Sequence, residues 1–130
     1  MYALDTNAVI HLFKGLGRIR EHVEATPPGE IGLPAVALYE LEVGLTLSSQ
    51  PKKRRTDLDA FLPLVRVLPL DSEAAKHAAE VRAALAPRGI VIGPLDILIA
   101  GTALAHHATL VTHNRGEFLR VKGLKVVDWL

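Results

Sequence analysis

The chain has 130 residues, enough for one domain with its own core, and no cysteine, which excludes a disulfide framework, a thiolate nucleophile and a Cys-ligated zinc or iron–sulfur centre. Lys and Arg number 15 against 14 for Asp and Glu, a balance that neither demands nor excludes nucleic acid. Met1 leads directly into Asp5 without a charged leader, and no uncharged apolar run approaches the roughly 20 residues of a spanning helix, so the expectation is a soluble, cytoplasmic protein with no membrane partner.

In chain order, Tyr2–Asp5 reads as a first strand that ends on a carboxylate. Thr6 or Asn7 is placed to cap a helix through Phe13, which Gly15-Leu16-Gly17 stops before a second helical piece over Arg18–Ala25. Thr26-Pro27-Pro28-Gly29 breaks the chain ahead of a strand at Glu30–Leu33. Pro34 suits the first turn of a helix whose Val36, Leu38, Leu41 and Leu45 repeat on one face as far as Leu47. A helix over Lys52–Leu62 and a strand over Val65–Leu70 follow. Asp71 or Ser72 then caps an Ala-rich helix, Glu73–Ala86, closed by Pro87-Arg88-Gly89. Ile90-Val91-Ile92 is strand-like in composition but short, and it runs into Gly93-Pro94, where a helix to about His106 begins; no strand is assigned there. Thr109–Thr112 and Lys125–Val127 complete the strands. This alternation implies βαβ units, a largely parallel sheet and a single α/β domain over residues 1–130.

In such a sheet the C-terminal ends of strands and the N-terminal ends of the following helices share one rim. Asp5, Glu40, Asp96 and Asn114 all map to it. Asp5 and Asn114 follow strands, Asp96 lies in the first turn after Pro94, and Glu40 lies in the early half of its helix. Asp96 has Ile99, Ala100 and Ala103 at helical spacing, and Glu40 has Val36, Val43 and Gly44, so both carboxylates are set on largely apolar faces, where Glu42 supplies the exposed side. Each residue alone has a plainer explanation: an N-cap for Asp5, a favourable helix dipole for Asp96, a turn for Asn114. Their agreement is what points to a site. Carboxylate and amide oxygens without Cys or a spaced His pair select Mg²⁺ or Mn²⁺ over Zn²⁺, and such ions at a carboxylate cluster support in-line hydrolysis of a phosphodiester.

The same residues resemble the PIN-domain ribonucleases, and within them the VapC-type toxins of toxin–antitoxin pairs. The resemblance rests on Leu4-Asp5-Thr6-Asn7, on Tyr39-Glu40-Leu41 with Gly44, on Gly93-Pro94-Leu95-Asp96 with Leu98-Ile99-Ala100, and on Leu110-Val111-Thr112-His113-Asn114 with Glu117-Phe118, and it spans nearly the whole chain, including the closing Gly123–Trp129. It implies an α/β/α sandwich and a Mg²⁺- or Mn²⁺-dependent endoribonuclease with Asp5, Glu40 and Asp96 as the acidic metal-site residues. It also implies that Thr6 and Thr112 orient those carboxylates or a water, and that a fourth acidic position falls on Asn114, for which Glu117, three residues on, is the candidate substitute. The partners it implies are RNA, a cognate antitoxin over the acidic groove with a basic side chain facing the carboxylates, and a second copy in a homodimer.

Two rival functions fit parts of the pattern. An aspartate-based phosphatase would use Asp5 as nucleophile, but it resembles Asp-x-Asp, and Asn7 stands two positions on. A catalytically inactive PIN-like module would bind RNA or protein without cutting; the set of Asp5, Glu40 and Asp96 disfavours it. Among the imidazoles, His106 and His107 suit a helix C-terminus, and His113 is a substrate-contact candidate beside Asn114. The basic run Lys52–Arg55 and the looser cluster Arg115, Arg120, Lys122 and Lys125 read first as solvated faces.

Overall fold

The computed structural model describes residues 1–130. Five short strands, β1 (Tyr2–Leu4), β2 (Ile31–Pro34), β3 (Arg66–Leu68), β4 (Thr109–Val111) and β5 (Val126–Val127), form one sheet in the order β3-β2-β1-β4-β5, with every neighbouring pair parallel. Seven helices connect them: α1 (Thr6–Phe13), α2 (Ile19–Ala25), α3 (Ala35–Leu47), α4 (Pro51–Phe61), α5 (Ser72–Leu85), α6 (Pro94–Ala105) and α7 (Arg115–Phe118). The chain moves outward from β1 to β2 and β3, then returns to the other side of β1 for β4 and β5. Right-handed crossovers therefore place α1–α4 on one face and α5–α7 on the other, the expected α/β/α sandwich. The reversal of strand order lies between β1 and β4, the place where open parallel sheets form a crevice at their C-terminal edge.

The boundaries differ from the sequence expectation in instructive ways. Asp5, rather than Thr6 or Asn7, caps α1, because its Oδ1 accepts the Ala8 N–H at 2.8 Å and its backbone is extended. β2 starts one residue late, since Pro28–Glu30 winds into a 3-10 turn. β3 is shorter than Val65–Leu70; Pro69 has no N–H to extend the ladder. Asp71, not Ser72, caps α5, and Ile90–Ile92 is not a strand. No helix is long and apolar enough to cross a membrane.

The core lies between sheet and helices, with Leu4, Leu33, Leu110 and Val111 from the strands meeting Val9, Ile19, Leu58, Ile99 and Phe118 from the helices. α6 is buried on most of its circumference, because α5 covers the side turned away from the sheet. Gly101 makes that cover possible: a Cβ there would lie 2.6 Å from the Ala78 backbone N and 2.7 Å from the Ala74 carbonyl O. Backbone atoms cannot step aside as a flexible side chain can. The closeness of α5 sets how deeply α6 is buried, and α6 carries Asp96.

Gly101→Ala should therefore destabilise the fold by about 1–3 kcal/mol, as overpacking does, despite the better helix propensity of Ala. A denaturation midpoint equal to or above that of the wild type would show that α5 and α6 tolerate separation.

Candidate functional site

Only three polar or charged residues are buried, Asp5, Thr102 and Thr112. Thr102 is satisfied within its helix by donating to the Leu98 carbonyl at 2.8 Å. The other two stand at the switch point between β1 and β4. Leu4 pairs with Val111, and the Asp5 N–H continues the ladder to the Val111 carbonyl at 3.1 Å, so Asp5 and Thr112 leave adjacent strands together. Capping uses Oδ1 of Asp5. The plain reading of Asp5 as an N-cap is thus true and incomplete, because the same carboxylate also feels the Thr112 hydroxyl and the charge of Glu40 at the rim.

Three further carboxylates meet it from other elements. Glu40 on α3 is half-buried, and the Thr6 hydroxyl donates to its Oε1 at 2.8 Å, so α1 orients a side chain of α3. Its surroundings correct the sequence expectation: Val43 and Gly44 are exposed, and Glu42 is half-buried in a forked pair with Arg55 at 2.9 and 3.1 Å. Asp96 opens the first turn of α6 beside Ile99, Ala100 and Ala103, which are fully buried as the spacing implies. Glu117 comes from α7 and is held at both oxygens. The Gly93 N–H donates to Oε1 at 3.1 Å, and the Asn114 side-chain amide donates to Oε2 at 2.6 Å. Asn114 is exposed and turned toward Glu117, and its own N–H donates to the Thr112 Oγ1 at 2.9 Å. The amide therefore holds a carboxylate, and the charge of Glu117 reaches Asp96.

The four charges act on one another. Burial first, then the charges of Glu117, Glu40 and Asp5, push the Asp96 carboxyl up to about 6. Burial also raises Asp5, with Glu40 adding to the rise, against the opposing effects of the Thr112 hydroxyl, the Ala8 N–H and the His11 imidazole. No group of three or more His, Cys, Asp or Glu side chains is drawn close enough to enclose an ion. The cluster is an open arc of carboxylates, half in contact with solvent. An all-oxygen donor set with that openness fits an ion that takes one or two carboxylates and keeps its waters, as Mg²⁺ does, better than one needing a closed tetrahedral cage.

The imidazoles divide by position. His106 and His107 lie at the end of α6 opposite to Asp96. His113 follows Thr112, with its Nδ1 2.9 Å from Asp128 Oδ2, and its ring stands edge-on to His11 at 6.1 Å. His22 stacks on Trp129 at 5.2 Å. Sequence reasoning missed the influence of His11 on Asp5, and no local signal marks it, since residues six apart do not share a helix face.

The family model described as PIN domain matches residues 2–124. The chain belongs to the PIN-domain family. Among curated relatives it is similar to the tRNA(fMet)-specific endonuclease VapC of Shigella flexneri, at 36% identity over 98% of this chain and 97% of that one. It is also similar to the ribonuclease VapC2 of Rickettsia felis, at 30% identity over 99% and 98% of the two chains. The VapBC2 crystal structure from Rickettsia felis, bound to a promoter DNA fragment, superposes with a TM-score of 0.93 at 30% identity, covering 99% of this chain and 98% of that chain. The DNA-bound VapBC structure from Salmonella typhimurium gives 0.93 at 33% identity, covering 99% and 98%. Within the family this PIN domain is of the VapC type.

The raised carboxyls carry a sign that can be measured. Folding favours their protonated forms, so between 3.8 and about 6 the folded chain holds a proton at Asp96 that the unfolded chain has lost. In chelator, the stability contributed by Asp96 is fullest below that window and falls as pH rises through it, and Asp5 acts in the same direction. The melting temperature of Asp96→Asn relative to wild type should accordingly climb across the window. A difference that is flat or reversed in thermal unfolding would contradict the repulsion.

Proposed function

We propose that this chain is the toxin of a toxin–antitoxin pair, a Mg²⁺- or Mn²⁺-dependent endoribonuclease that hydrolyses RNA phosphodiester bonds at the acidic rim. The observation that carries the reading is the convergence of Asp5, Glu40, Asp96 and Glu117 from four elements at the switch point, in a chain similar along its whole length to VapC ribonucleases. The Shigella relative supports initiator tRNA as the first substrate to try.

Asp5, Glu40 and Asp96 would hold the ion, which when bound supplies water activation and charge neutralisation at a phosphodiester. The protein's own part is orientation. The Ala8 N–H and Thr112 keep the Asp5 carboxylate from rotating, Thr6 does the same for Glu40, and Asn114 with the Gly93 N–H does so for Glu117. Burying mutually repelling carboxylates is unfavourable in isolation, and a cation offsets it.

A groove of about 300 Å³ runs between α1, α3 and α4, with Ile10, Phe13, Leu41 and Leu45 along it and Glu40 at its margin. It supports the antitoxin reading, in which an apolar segment would fill the groove and a basic side chain would reach the carboxylates. Complexes named VapBC among the structural relatives support the same partner. On α3, Tyr39, Val43 and Leu47 are exposed at 58%, 40% and 79% and are spaced four apart, an apolar row that supports a homodimer.

Asp5→Asn and Asp96→Asn should each abolish cleavage of initiator tRNA in Mg²⁺ or Mn²⁺ and relieve growth arrest while circular dichroism stays native. Thr6→Val, which frees Glu40 without removing a carboxylate, should reduce cleavage by about 10- to 100-fold. Wild-type rates in the two Asp variants would defeat the site assignment, and full activity in EDTA would defeat the metal. For the dimer, Val43→Glu should shift the light-scattering mass from two chains to one; an unchanged mass would remove α3 from the interface.

A further inference from the structure

The two basic segments of the chain fare differently in the fold. In the run Lys52–Arg55, Arg54 pairs with Asp57 at 3.2 Å and Arg55 with Glu42 at 2.9 Å, so half of its charge is already matched. Arg120 and Lys122, from the C-terminal cluster, instead meet Arg88 around a groove of about 430 Å³ formed by α5, the turn after it, the end of α6 and the segment that leaves α7. All three cations are exposed, and none of them takes part in an ion pair. The one carboxylate in the groove, Glu80, faces His77 at 3.9 Å. Leu104 lies among the apolar residues between the cations.

The position of this groove matters as much as its charge. Glu117 is at the acidic rim, and Arg120 and Lys122 follow it by three and five residues. Chain geometry therefore keeps the Cα atoms of Arg120 and Lys122 within roughly 11 and 18 Å of the Cα of Glu117. A rim of four carboxylates repels a polyanion, so affinity for RNA has to come from cations away from the bond that is cut. The chain has few aromatics with which to stack bases, 5% of its residues, which leaves phosphate contact as the means of holding a strand.

We propose that Arg88, Arg120 and Lys122 form a phosphate-binding exosite that tracks the backbone of the RNA whose scissile bond lies at the acidic rim. The proposal rests on the ribonuclease reading above for the identity of the strand. An acidic protein segment would feel the same charges, but the short connection from Glu117 favours the molecule that the rim itself engages. Contacts of this kind are to phosphate, so the exosite contributes affinity without reading sequence.

The test uses the full chain with Arg88, Arg120 and Lys122 all changed to Ala, alone and together with Asp96→Asn to silence cleavage. In the silent background, binding of labelled initiator tRNA is measured over a range of salt. Each lost phosphate contact should make the slope of log K against log salt shallower by about 1, so by about 3 for the triple change. In the active background, KM for intact tRNA should rise at least about tenfold, while cleavage of a short oligonucleotide spanning the mapped cut keeps its kcat. Unchanged KM and unchanged salt slope, in a variant that still cuts the oligonucleotide, would overturn the exosite. A variant that keeps the salt slope but loses its antitoxin would assign the groove to a protein and overturn the proposal equally. Wild-type protein that cuts no RNA, yet shows salt-dependent tRNA binding that the triple change removes, would leave the exosite standing and sink the ribonuclease reading instead.

Discussion

Because β1 pairs with β4 in parallel register, Leu4 opposite Val111, the residues that follow those strands emerge side by side at the one point where the strand order reverses. The Asp5 N–H is taken by the Val111 carbonyl, so Asp5 is the first residue beyond the strand at the edge where open parallel sheets form their crevice. Everything at the rim is arranged around that carboxylate. α1 starts from it, Thr112 lies against it, and Glu40 and Asp96 are brought up to it from helices on opposite faces of the sheet.

Bringing like charges together is unfavourable, and the fold meets that cost with donors rather than with basic side chains. The Ala8 N–H, the Thr6 hydroxyl, the Gly93 N–H and the Asn114 amide each fasten one carboxylate oxygen, and no Lys or Arg forms an ion pair with Asp5, Glu40, Asp96 or Glu117. Hydrogen bonds fix orientation and leave the net negative charge intact, so the field at the rim stays available to a cation from solution. A lysine there would have satisfied the charge and closed the site. The raised Asp96 carboxyl records the same design from the side of the proton.

The cations are disposed with equal consequence. Arg54 and Arg55 tie α4 to itself and to α3, whereas Arg88 from the turn after α5 and Arg120 and Lys122 from the segment after α7 are drawn to one groove and left unmatched. A net charge of +1 conceals this separation of an acidic rim from a basic groove. Charge balance over the whole chain therefore says little about binding, and its distribution in space says a great deal.

The sequence by itself determined the order of strands and helices, the parallel sheet and the placement of Asp5, Glu40 and Asp96 at one rim, because apolar runs, Pro and Gly breaks and helix starts are local signals. It also marked Glu117, three residues beyond Asn114, since one helical turn joins them. It did not show that Glu42 is paired with Arg55 or that Val43 faces solvent. Each of these depends on what a distant segment brings to the same place. Only the tertiary structure decided that Thr6 would fasten Glu40, 34 positions away, and that Gly93 would fasten Glu117, 24 away, because a hydrogen bond depends on proximity in space and leaves no period in the chain.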